Sequence, residues 1–203
     1  MSKLATKVAL VTGGSRGIGA AIAKRLAADG ASVAITYAKD ANAASAVVKA
    51  IQGSGGKALA IQADAADPKA INTAVEKTVA TLGRLDVLVN NAGTAIPKPF
   101  EQTTLEEIDH MIDLNFRGVM VATQVGLKHM NDNGRVIMIG SCVGERMMTP
   151  GLAAYSATKG AVKMFTQGLA REAAAAASQS ITSSPGPSTP ISILLQATGQ
   201  HPK

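Results

Sequence analysis

From residue 7 to about residue 171, short apolar runs alternate with stretches whose apolar residues recur every three or four positions. "KVALVT" (7–12), "SVAITY" (32–37), "KALAIQAD" (57–64), "LDVLVNNAG" (85–93) and "GRVIMIGS" (134–141) read as five buried strands. Between them lie helical patterns: "IGAAIAKRLAADG" (18–30), "NAASAVVKAIQGSGG" (42–56) and "PKAINTAVEKTVATLG" (68–83). In the first, Ile18, Ile22 and Leu26 fall at helical spacing, and Gly30 is a stop signal. In the third, Pro68 sits in the first turn, where its missing N–H costs nothing. "TLEEIDHMIDLNFRGVMVATQVGLKHM" (104–130) reads as one long helix, and "GLAAYSATKGAVKMFTQGLARE" (151–172) as the next. Strict alternation of strand and helix predicts a doubly wound parallel α/β sheet, Rossmann-like, with helices on both faces.

Composition narrows the class. The chain has 203 residues, 46% of them apolar, yet only two tyrosines, three phenylalanines and no tryptophan. That length fits one domain with an aliphatic core. The formal charge of +6 fits a basic surface or a pocket for an anionic cofactor. No basic run interleaves with aromatics, so no nucleic-acid partner is expected. The single cysteine, Cys142, excludes an intrachain disulfide and offers no metal spacing. No stretch approaches the ~20 apolar residues of a membrane span, and residues 1–10 lack a signal-peptide core. A cytoplasmic protein with no membrane partner and no metal is expected.

Three motifs carry chemistry. "TGGSRGIG" (12–19) lies where the first strand turns into the first helix. Its glycines let backbone approach a pyrophosphate, and the helix beyond presents free N–H groups and a positive dipole end. At the end of the second strand an acidic residue would bond an adenosine ribose 2′-hydroxyl. Here that end is Tyr37 with Lys39 close behind, and Arg16 projects from the glycine loop. Two cations suit a 2′-phosphate, so NADP(H) is favoured over NAD(H); Asp40 dissents, but lies beyond the strand. In "AYSATKGAV" (154–162), Tyr155 and Lys159 stand four apart on one helix face. A phenol is a poor acid–base group at neutral pH, and a neighbouring ammonium favours the phenolate. Ser141 lies just past the end of the fifth strand, where open α/β sheets bind ligands.

In order and spacing, "TGGSRGIG", "NNAG" (90–93), "LNFRG" (114–118), "IGSCVG" (139–144) and "YSATK" (155–159) resemble the short-chain dehydrogenase/reductases over about residues 7–172. The flavour is that of the NADPH-dependent 3-oxoacyl-carrier-protein reductase branch. The resemblance implies a catalytic set of Asn115, Ser141, Tyr155 and Lys159. Tyr155 would protonate the substrate carbonyl oxygen as hydride arrives. Lys159 would assist the phenol and hold the nicotinamide ribose. Ser141 would bond the carbonyl, and Asn115 would hold a relay water. It implies a cofactor cleft of Gly13, Ser15, Arg16, Gly17, Ile18, Gly19, Tyr37, Lys39, Asp64, Ala65, Asn91, Ala92 and Gly93, with Asp64 and Ala65 at the adenine. Ser141 stands fourteen residues before Tyr155, where relatives usually have thirteen; the spacing from Ser141 to Gly144 selects it over Cys142, which is expected to be a small buried apolar residue. His110, His129 and His201 receive no catalytic role, and Met147 and Met148 are expected against substrate or lid. The resemblance also implies a homodimer through the fourth and sixth helices; a tetramer is not expected.

The end departs from the family. Relatives continue with a sixth strand resembling "GITVNNVQPGPIDTD", then a lid and a seventh strand. Here the chain reads "QSITSSPGPSTPIS" (179–192). With one permitted choice of codons, out-of-frame reading of "VNNVQPGPIDTDI" spells Ser180 to Ser192. A reading-frame slip within residues 172–177 is therefore expected, against the alternative of a selected natural tail. Pro185 and Gly186 carry no cofactor role. The domain is taken as residues 1–177, with 178–203 an atypical, unstructured tail. The alanine run is expected to prolong the last helix and the fifth strand to be left as an open edge. Two readings follow: an NADP(H)-dependent oxidoreductase acting on a small carbonyl or alcohol, or a nucleotide-binding remnant of one with impaired turnover.

Overall fold

The structure is a computed structural model that describes residues 3–147, 149–182 and 192–196. Strands β1 (Val8–Val11), β2 (Ser32–Tyr37), β3 (Lys57–Gln62), β4 (Leu85–Asn90), β5 (Met130–Ile139) and β6 (Ser192–Gln196) form one sheet in the order β3-β2-β1-β4-β5-β6. Every pairing is parallel. The helices are α1 (Gly17–Ala28), α2 (Ala41–Gly53), α3 (Pro68–Leu82), α4 (Leu105–Ile112), α5 (Gly118–His129) and α6 (Ala153–Thr182). The strand order reverses between β1 and β4, and that crevice is where an open α/β sheet takes a ligand.

Alternation along the strands builds two aliphatic layers. Leu10, Ala34, Ile61, Leu88, Val136 and Met138 point to the face covered by α3 and α5. Ala9, Val11, Val33, Ile35 and Val89 point to the face covered by α1 and α2. Each large side chain so buried contributes about 1.5–3 kcal/mol. At the amino end of the sheet, away from the crevice, Asp86 is only 3% exposed. It accepts from Val8 N–H (2.9 Å), Lys7 Nζ (3.1 Å) and Arg84 Nη2 (2.6 Å), pinning β1 to β4. Burial pushes its carboxyl pKa up, but the Val8 N–H and the two cations win and hold it below the usual value.

Three expectations change, and a fourth gains a detail. Helix α1 turns Ala20, Ala23 and Ala27 to the sheet, while Ile18 is half exposed; Ile22 and Leu26 pack on its flank. Small residues face inward because the helix must lie close to the strands to bring its amino terminus over them. The long helix is continuous as expected, but α4 passes into α5 through a π-helical turn, Asp113–Arg117, with helical φ and ψ at both junctions. Cys142 is half-buried rather than buried, at the start of a short 3-10 turn, Cys142–Gly144. The open edge of β5 is covered, since Ser192–Gln196 pairs with Arg135–Ile139 along its length. That segment, "SILLQ", lies just past the Ser/Pro-rich stretch and holds the tail's longest apolar run, so it can offer a strand ladder that the prolines cannot. Helix α6 does run through the alanine run to Thr182. Met148, Pro185, Gly186, His201 and the rest of the tail lie outside the described residues.

Candidate functional site

A cleft of about 780 Å³ opens along the carboxyl ends of the strands at the switch between β1 and β4. Its floor at one end is the β1–α1 turn. Gly13 and Gly17 there take positive φ (63° and 53°), a region closed to most side chains. A Cβ on Gly19 would overlap both Asn91 Nδ2 and the Gly13 carbonyl, so only glycine lets α1 start this close to β4. Asn91 donates from Nδ2 to the Thr12 and Gly13 carbonyls at 2.9 and 3.0 Å. The Gly13 N–H donates to Thr36 Oγ1 at 3.0 Å, and Thr12 Oγ1 accepts from the Asn91 and Ala92 N–H groups. The loop is therefore braced from β1, β2 and β4 before any ligand arrives.

Helix α1 begins without a side-chain cap and without an acidic residue in its first turn. By contrast, α2, α3 and α4 are capped by Asp40, Asp67 and Thr104. The first N–H groups of α1 are left free to meet an anion. Arg16, Tyr37 and Lys39 line the wall beside them, and neither cation makes an ion pair among the described residues. Asp40 lies there too, but its carboxylate accepts the Ala43 N–H at 2.8 Å as the α2 cap. That bond takes one of its two carboxylate oxygens and fixes the side chain at the start of α2. Ser15, Ile18, Asp64, Ala65, Ala92 and Gly93 complete this part of the wall. The Asp64 carboxylate also accepts the Ala66 N–H. Every cofactor-side residue expected from the sequence reaches this one cleft.

At the other end stand Tyr155 and Lys159, one turn apart on α6. Lys159 is 6% exposed. Its ammonium donates to the Ile139 carbonyl at 2.8 Å and lies 5.8 Å from the centre of the Tyr155 ring. Burial lowers its pKa from the ordinary lysine value to about 8, so it is still mostly cationic at pH 7. Gly144 fixes the approach of the Ser141 loop: a Cβ there would press on the α6 backbone at Lys159 and Gly160 at 2.8–3.0 Å. That contact explains the Ser141–Gly144 spacing. Ser141 stands beside Gly140, which lines the cleft, but is not itself on its wall.

Asn115 is fully buried in the π-helical turn. Its Nδ2 donates to the Thr94 carbonyl (2.8 Å) and to Thr158 Oγ1 (3.1 Å), and its Oδ1 accepts the Thr94 N–H (2.8 Å). Both amide hydrogens are therefore committed to protein, leaving one Oδ1 lone pair on the side chain for any relay water. A Cβ on Gly93 would lie 3.1 Å from that oxygen and 3.7 Å from Lys159 Nζ, so amide and ammonium converge behind a bare glycine.

Sequence reading passed over Thr12, Thr36, Thr94 and Thr158. Each acts through a hydroxyl or a backbone group that has no periodic signature; only their places inside or beside the motifs could have flagged them. His110, exposed on α4, also lines the cleft. Among the described residues no group of His, Cys, Asp and Glu could hold a metal ion, and no helix is long and apolar enough to cross a membrane.

Comparison with known proteins places this geometry. A family model described as short chain dehydrogenase matches residues 7–189. An uncharacterized oxidoreductase of Methylorubrum extorquens is 48% identical over 174 residues, 86% of this chain and 70% of that protein. A 3-oxoacyl-[acyl-carrier-protein] reductase of Synechocystis is 43% identical over 176 residues, 86% of this chain and 71% of that protein. A Burkholderia cenocepacia short chain dehydrogenase, solved in complex with NADP, superposes with a TM-score of 0.82 at 51% identity, covering 84% of this chain and 69% of that one. The chain spans between 62% and 71% of the length of the curated relatives it matches.

Proposed function

Because the chain belongs to the short-chain dehydrogenase family, we propose that it transfers hydride between NADP(H) and a small carbonyl or alcohol substrate, with Tyr155 as general acid–base. The observation that carries this reading is the buried Lys159 ammonium set 5.8 Å from the Tyr155 ring at one end of a cleft whose other end is an uncapped helix. A dinucleotide fits the residues present: free N–H groups for its pyrophosphate, and Arg16 and Lys39, beside an Asp40 that caps α2, for a 2′-phosphate. The NADP-bound Burkholderia relative supports the same choice of cofactor.

When bound, the nicotinamide supplies or accepts the hydride. Tyr155 gives its phenolic proton to the carbonyl oxygen during reduction and takes it back during oxidation. Lys159 stabilises the phenolate so formed, through a charge held in low dielectric. Ser141, whose hydroxyl has no partner among the described residues, is free to bond the substrate oxygen. The buried Asn115 amide, with one lone pair left, closes the back of the site. Exposed Ile112 on α4 and Met164 on α6 support pairing of two copies through those helices.

A second reading, a nucleotide-binding protein without turnover, rests on the position of the cleft residues in the chain. Among the described residues every one that lines the cleft precedes Gly160. NADPH fluorescence titration beside a 340 nm assay on a panel of ketones separates the two. Binding with turnover that Tyr155→Phe abolishes supports the enzyme. Binding without turnover supports the second reading, and absence of binding refutes both.

A further inference from the structure

We propose that Thr158 is a positioning residue for the Tyr155–Lys159 pair, acting by strapping α6 through Asn115 to the loop after β4. This rests on the reading of the cleft given above. Thr158 lies between the two reacting side chains and is 6% exposed. Its hydroxyl donates to the Tyr155 carbonyl at 2.7 Å, the ordinary back-bond of a helical threonine. It also accepts Asn115 Nδ2 at 3.1 Å, which a helical back-bond does not require. Asn115 in turn holds both the N–H and the C=O of Thr94, the residue after Gly93.

The result is a closed path from the cleft wall at Thr94, through the π-helical turn, to the backbone of Tyr155. No hydrogen in it is spare: the Thr158 proton and both Asn115 amide protons are each used once. A helix packed by apolar contacts alone can rotate or slide by fractions of an ångström. This path fixes α6 about its axis against the same loop whose Gly93 faces Lys159 Nζ. Small misplacements of reacting groups carry large rate costs, so the strap should show in turnover more than in ligand affinity.

The structure contains its own control. Thr123 on α5 makes the same pair of bonds, donating to the Val119 carbonyl at 2.7 Å and accepting Asn90 Nδ2 at 3.0 Å. Thr158→Val and Thr123→Val therefore each leave one buried amide hydrogen unpaired, and comparable losses in melting temperature are expected. The full chain carrying each change is tested in three ways. Hydrogen exchange by NMR reads the Thr94 N–H, NADPH fluorescence reads cofactor affinity, and ketone reduction reads kcat and KM.

Thr158→Val is expected to speed Thr94 exchange at least tenfold and to lower kcat at least tenfold, with NADPH affinity and KM within about threefold; Thr158→Ser restores both. Thr123→Val is expected to leave Thr94 exchange and the kcat-to-KM balance near those of the unaltered chain. The proposal is overturned if the two valine variants behave alike, or if serine fails to rescue. Should the unaltered chain bind NADPH without turnover, the enzyme reading fails, and Thr94 exchange alone decides: selective acceleration by Thr158→Val upholds the strap, and its absence overturns it.

Discussion

The two ends of the cleft are built from different materials. The glycine-loop end presents backbone: uncapped N–H groups of α1, positive-φ glycines and carbonyls braced by Asn91, Thr12 and Thr36. The Tyr155–Lys159 end presents side chains whose chemistry is set by where they are buried. Backbone donors have no pKa in the working range and cannot be deleted one at a time, so the first end should respond to shape. Side-chain groups can be removed singly and titrate, so the second should respond to charge and pH.

The largest test of that contrast is at Lys159. Lys159→Met is expected to lower ketone reduction by about 10²–10⁴-fold, the usual range for lost acid–base assistance, as read by the 340 nm assay. The same change should stabilise the ligand-free fold at pH 7. With a folded pKa of about 8 against 10.5 for a free lysine, the unfolded chain binds the extra proton between those values. Stability of the unaltered protein therefore rises with pH across about 8 to 10.5 and is lower below 8. The cost relieved is on the order of 3 kcal/mol at most. Urea melts from pH 7 to 10 check both parts: a Lys159→Met protein that still gains stability in that window would show that another group titrates there.

Next in size is a change of shape at the backbone end. Gly19→Val places a branched side chain into Asn91 Nδ2 and the Gly13 carbonyl. At least a tenfold loss of NADPH affinity is expected, with about 1–3 kcal/mol of overpacking strain. Isothermal titration and thermal melting read the two effects, and affinity unchanged in a folded variant would remove the glycine loop from the binding account.

A smaller effect separates the cofactors. Arg16→Ala with Lys39→Ala should weaken NADPH about tenfold or more, in keeping with the loss of charge-assisted bonds, while leaving NADH within about twofold. Equal losses for both nucleotides would show that these cations do not read a 2′-phosphate. The smallest expected effect is at Asp40→Ala, which removes the α2 cap at a cost of about 1 kcal/mol and leaves NADPH affinity unchanged or slightly higher. A shift of preference towards NADH on keeping Asp40 and removing only Lys39 would mean that this carboxylate reads the ribose as well as capping α2.

Strand and helix order, the turn that carries "TGGSRGIG" and the helical spacing of Tyr155 and Lys159 were legible in the amino-acid sequence, because hydrophobic period, glycine placement and motif order are local properties. Four things were decided by the tertiary structure. Alanines rather than isoleucines face the sheet from α1, because the helix is drawn close to the strands to deliver its amino terminus. Asp40 caps α2 through one carboxylate oxygen while also lining the cleft, a double placement that its position just past β2 does not specify. Asn115, Thr94 and Thr158, distant in the chain, share one set of hydrogen bonds, and the far end of the chain lays Ser192–Gln196 against β5. Such contacts join residues tens of positions apart, and nothing in a local pattern of apolar and polar residues states which distant donor a buried acceptor will find.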